Sequence, residues 1–82
     1  MKLPRDISGE ELAKVLGRLG YHVTRQTGSH IRLTCALPSQ HHLTIPAHHP
    51  LRVGTLAAIL SEVAARQKIS KEEVMARIFE RN

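Results

Sequence analysis

Ser8-Gly9-Glu10-Glu11 opens the first regular pattern of apolar and polar residues in the chain. It reads as a capping box: the Ser8 hydroxyl accepts from the Glu11 amide, and the Glu11 carboxylate reaches back to Ser8. Leu12, Val15, Leu16 and Leu19 follow at i, i+3, i+4 and i+7, one apolar stripe at helical period. Gly20 suits the left-handed residue that ends a helix. The spacing predicts a helix over 9–19. Tyr21 to Gln26 reads as a strand, with Tyr21, Val23 and Thr24 favouring a pleated sheet. Thr27-Gly28-Ser29 supplies a turn.

From His30 to Ala36 the chain alternates. Ile31, Leu33 and Cys35 point one way, and His30, Arg32 and Thr34 the other. Pro38-Ser39-Gln40 interrupts, and His41 to Ile45 alternates again, with Leu43 and Ile45 inward and His42 and Thr44 outward. Pro46 ends that strand. The short connections favour an antiparallel meander. After a loop over 47–52, Leu56, Ile59, Leu60 and Val63 mark a helix over about 54–66. Ser70-Lys71-Glu72-Glu73 reads as a second capping box, opening a short helix with Val74 and Ile78 inward. The expected fold class is α+β, in the order α-β-β-β-α with an extra short C-terminal helix. One sheet face packs on the helices and the other stays open to water.

Length changes the picture little: 82 residues allow a single domain, taken as 1–82. One Tyr, one Phe and no Trp leave an aliphatic core. No apolar run is long enough to span a bilayer. Met-Lys-Leu-Pro-Arg-Asp runs into polar residues without an apolar stretch, so no secretory signal is expected. The lone Cys35 has no disulfide partner and fits a reducing cytoplasm.

Charge changes it more. Lys and Arg number 12 against 7 Asp and Glu, a net +5. No acid falls between Glu11 and Glu62, while that stretch holds Lys14, Arg18, Arg25, Arg32, Arg52 and all six histidines. A one-signed middle attracts a polyanion. The open face, with His30, Arg32, Thr34, His42 and Thr44, suits a phosphodiester. Arg32 can fork onto phosphate oxygens, and His30 can exchange a proton near neutrality. RNA is the matching substrate, because its 2′-hydroxyl is a built-in nucleophile that needs only a base and no metal. Gly28 and Ser29 form a turn whose amides and hydroxyl can face an anion.

The other histidines carry less. His41 and His42 are neighbours on a strand and face opposite ways. His30, His42 and His48 have no carboxylate or cysteine at ligand spacing, so neither metal nor cofactor is expected. His22, His41 and His49 are expected at the surface or partly buried. Cys35 is expected to pack as a small hydrophobe.

Along nearly its whole length the chain resembles the HicA-type toxins, in particular the YcfA-like branch of small mRNA interferases. The resemblance is carried, in order, by Leu3-Pro4-Arg5-Asp6, Ser8-Gly9-Glu10-Glu11, Leu19-Gly20-Tyr21 and Arg25-Gln26-Thr27-Gly28-Ser29-His30. Leu43-Thr44-Ile45-Pro46, His48, Val53-Gly54-Thr55-Leu56 and Ile59-Leu60 continue it. It implies a double-stranded-RNA-binding-like fold and ribosome-independent RNA cleavage with His30, the histidine after Gly-Ser, as catalytic residue. It also implies a HicB-type antitoxin partner and a loop histidine, His48. Many relatives carry Asn before that histidine, where this chain has Ala47. Gly28, Ser29, Arg32, Thr34 and His48 are the expected RNA contacts. A non-catalytic RNA-binding module, or a domain that binds an acidic protein, are the alternative readings.

Overall fold

The computed structural model describes residues 3–80. Met1 and Lys2, where the leader reading begins, and Arg81 and Asn82, at the far end of the 1–82 domain, lie outside the described residues. The expected α+β order is present. Helix α1 (Gly9–Leu16) leads through a 3-10 turn (Gly17–Leu19) to strands β1 (His22–Gln26), β2 (His30–Cys35) and β3 (His41–Pro46). Helices α2 (Val53–Gln67) and α3 (Lys71–Phe79) follow. The strands form one antiparallel sheet in the order β1-β2-β3.

Both halves of the Ser8 capping box are made, and Gly20 takes the left-handed conformation at φ 93°. The expected first helix tightens in its last turn, so its α-helical part ends at Leu16 rather than Leu19. The box at Ser70 is only half made. Ser70 accepts from the Glu73 amide at 3.0 Å, but the Glu73 carboxylate takes Arg77 Nε at 2.8 Å instead of returning to Ser70. An i,i+4 guanidinium outcompetes a neutral amide for the same oxygen. Helix α2 ends at Lys68, a left-handed residue at φ 60° whose amide donates to the Ala64 carbonyl.

Leu12 and Leu16 from α1, Ile31, Leu33 and Cys35 from β2, and Leu43 and Ile45 from β3 join one buried cluster. Leu56, Leu60 and Val63 from α2 and Val74, Met75 and Ile78 from α3 complete it. Arg18 Nη1 donates to the carbonyls of Ile78 and Glu80 at 3.2 and 3.4 Å, which caps the end of α3 and ties it to the 3-10 turn after α1. Gly9 is buried against the end of β3. A Cβ there would collide with the Pro46 carbonyl oxygen, and the Gly9 amide donates to the His48 carbonyl at 2.9 Å.

One histidine departs from expectation. His41, expected at the surface or partly buried, is fully buried at 4% exposure. Its Nε2 is 2.6 Å from the Tyr21 hydroxyl and its Nδ1 2.7 Å from the Ser39 carbonyl, so both ring nitrogens are satisfied. Burial of an imidazole is tolerated because of those two partners.

Candidate functional site: the open sheet face

The alternation of β2 and β3 is realised residue by residue. Ile31, Leu33, Cys35, Leu43 and Ile45 are buried, while His30, Arg32, His42 and Thr44 are exposed and Thr34 is half-buried. Thr44 stands directly opposite Arg32, and His42 opposite Thr34.

His30 begins β2, and its backbone is locked by one neighbour. The Thr27 amide donates to the His30 carbonyl at 2.9 Å, and Thr27 Oγ1 accepts from the His30 amide at 3.2 Å. That pairing leaves Gly28 and Ser29 as the two-residue tip of the β1–β2 hairpin. Ser29 Oγ lies 3.1 Å from His30 Nδ1, so the expected anion-contact hydroxyl is turned onto the imidazole. Nothing lies within 4 Å of the position a Cβ on Gly28 would take, so the surface beside the turn is open.

Pro46, opposite His30 across the sheet, ends β3, and the Ala47 amide donates to the Ser29 carbonyl at 2.9 Å. The loop that carries His48 therefore leaves the sheet beside the Ser29-His30 turn, and His48 is exposed. Thr34 does something other than stand free. Its hydroxyl is 2.8 Å from His42 Nδ1 and 3.1 Å from Thr24 Oγ1. His30 and His42 are set apart: Thr34, the partner of His42, lies four residues along β2 from His30, ~13 Å of strand. They do not share one phosphodiester.

The sequence reading missed part of this face. The register of β1 against β2 shifts between Val23 and Arg25, so Thr24 is an extra, bulged residue. Before the bulge His22 pairs with Thr34 and Val23 with Leu33; after it Arg25 pairs with Arg32 and Gln26 with Ile31. Strict alternation sends Arg25 to the side of Val23, toward the helices. The bulge returns it to the open face. No residue in His-Val-Thr-Arg-Gln announces a bulge, since none is glycine or proline.

The resulting surface carries Arg25, Arg32, His22, His30 and His42, and the three strands contain no acidic residue. The acids lie elsewhere: Asp6 before α1, Glu10 and Glu11 in α1, Glu62 in α2, Glu72 and Glu73 in α3, and Glu80 just after it. Among the described residues no three His, Cys, Asp or Glu side chains group as a metal ligand set. No helix among them is long and apolar enough to cross a membrane. Cys35 is 1% exposed on the helix side, the small core residue expected.

No curated protein and no solved structure matches the chain. The sequence model describing the HicA toxin of bacterial toxin-antitoxin systems matches residues 9–65, a span that runs from the first residue of α1 across the whole sheet and most of α2. With that match over more than half its length, the chain belongs to the HicA toxin family.

Proposed function

We propose that this toxin is a metal-independent, ribosome-independent endoribonuclease acting on mRNA, with His30 as general base. HicA toxins are toxin-antitoxin toxins with ribonuclease activity, and they pair with HicB antitoxins. The observation that carries the finer reading is the exposed His30 imidazole, 3.1 Å from Ser29 Oγ, on a face whose strands lack any carboxylate. With Nδ1–H donated to Ser29, Nε2 presents its lone pair outward. It takes the 2′-hydroxyl proton as O2′ bonds to the adjacent phosphorus. The P–O5′ bond then breaks, leaving a 2′,3′-cyclic phosphate, and water on the exposed face protonates the departing 5′-oxygen. Arg32, on the same face, holds the strand by its phosphate oxygens. Gly28 leaves the strand room to approach, His48 contacts it from the loop, and Thr34 acts by orienting His42. The HicB-type antitoxin blocks this face in the cytoplasm.

The test is incubation of end-labelled RNA with purified protein in excess chelator and without ribosomes. Wild type yields cyclic-phosphate ends; a folded His30→Ala variant loses about 10²–10⁴-fold in rate. Full cleavage by that variant removes His30 from the chemistry, and loss of wild-type cleavage in chelator removes metal independence. RNA bound but never cut leaves the non-catalytic binding module.

A further inference from the structure

The bulge at Thr24 sets two arginines side by side. Arg25 and Arg32 are direct cross-strand partners, so their Cβ atoms are ~4.5–5.5 Å apart on one face. Like charges in that position destabilise a sheet. Both are exposed, and among the described residues neither guanidinium meets a carboxylate; the two salt bridges there are Arg66–Glu62 and Arg77–Glu73. The bulge turns one cation toward another where plain alternation would separate them, and an anion between them would offset their repulsion.

We infer that Arg25 and Arg32 form a clamp for the RNA phosphate next to the one that is cut. This rests on the proposed role of His30. Arg32 lies two residues along β2 from His30 on the same face, a step of ~6.6–6.8 Å. Thr44 extends the Arg25–Arg32 row across β3, and the row after it is His22–Thr34–His42. The cationic and hydroxyl groups thus repeat in single file from the imidazole along β2. That arrangement fits one extended strand, whose successive phosphates meet successive rows. A duplex would need contacts spread over two backbones. Two guanidinium forks on one phosphate fix the strand's register, so that the neighbouring 2′-hydroxyl falls at His30. Arg25 is a substrate-positioning residue under this assignment. An acidic polypeptide offers carboxylates to the same forks; the alignment with His30 favours RNA.

The experiment measures binding of a short fluorescent single-stranded RNA to His30→Ala protein, with and without Arg25→Ala, across a salt series. Arg25→Gln serves as a second variant, and thermal melts accompany both. Removing Arg25 weakens binding about tenfold, lowers the salt slope by roughly 0.7, and raises the melting temperature by relieving the like-charge pair. In the cleaving protein the same change raises KM more than it lowers kcat. The duplex of the same sequence binds more weakly than the single strand. Unchanged affinity and slope overturn the clamp, as does loss of affinity for an acidic antitoxin alone. If wild-type protein cleaves RNA and the Arg25 variants match it, the clamp fails while the nuclease stands. If wild-type protein never cleaves RNA, the role of His30 fails first.

Discussion

Ser29 Oγ and His30 Nδ1 lie 3.1 Å apart at the tip of the β1–β2 hairpin. A hydroxyl there holds the ring, and in the proposed base mechanism it accepts from Nδ1–H, which leaves the Nε2 lone pair free. Ser29→Ala is therefore expected to lower kcat by about tenfold, with little change in KM. A hydroxyl bound to phosphate would show the opposite split. Steady-state cleavage of an RNA oligonucleotide separates the two.

Tyr21 and His41 form a buried polar side-chain pair in the core, at 3% and 4% exposure. Burial pushes the Tyr21 hydroxyl further above its ordinary pKa, so the group that meets His41 is the neutral hydroxyl. The rings meet edge to face with centroids 5.3 Å apart. Tyr21→Phe strands His41 Nε2 without a partner and is expected to cost about 1–3 kcal/mol. Pairing Tyr21→Phe with His41→Phe removes the stranded nitrogen and recovers part of that loss, though only part, because His41→Phe also gives up the bond to the Ser39 carbonyl. Urea denaturation of the single and double variants measures it.

These particulars show what was legible in the chain. The outward residues of β2 and β3 could be read by alternation, because one face is buried and a single-residue slip would expose Leu33 and Ile45. His30, Arg32, His42 and Thr44 followed from that. Arg25 did not, because a bulge is a property of the β1–β2 pairing and His22–Gln26 is exposed throughout, with no apolar pattern to fix its register. His41 was hidden for another reason. Its inward position was readable, but its partners, Tyr21 and the Ser39 carbonyl, come together only in the fold. The Ser70 box was half wrong because Glu73 has two suitors, and only geometry shows that Arg77 wins.

Glu11 gives stability a pH dependence with a definite sign. Its carboxyl sits below the ordinary value of 4.5, first because it accepts from the Ser8 backbone amide, then because of the Ser8 hydroxyl, with a smaller attraction from His49. A depressed folded pKa contributes stability that is present above the unfolded value and lost as pH falls through the folded one. Wild type should melt higher than Glu11→Ala at pH 7. The gap should begin to close below about pH 4.5 and disappear at lower pH, as the carboxyl protonates in the folded protein too. Thermal melts from pH 7 to pH 2 follow it.

Gly9 packs behind Pro46 while Gly28 sits at the hairpin tip, and the two are expected to respond oppositely to one methyl group. At Gly9 the Cβ meets the Pro46 carbonyl, backbone that cannot move without disturbing β3 opposite His30. Gly9→Ala should therefore lose about 1–3 kcal/mol of stability and slow cleavage as well. At Gly28 there is open space and no positive φ to relieve, so Gly28→Ala should alter stability by less than about 0.5 kcal/mol. If the RNA backbone passes over the hairpin tip, that silent methyl meets the substrate, and KM rises at unchanged melting temperature. Measured together, the two alanine variants separate the residue that seats the helix on the sheet from the one that leaves room for the strand. An unaltered KM for Gly28→Ala would move the RNA path away from the turn.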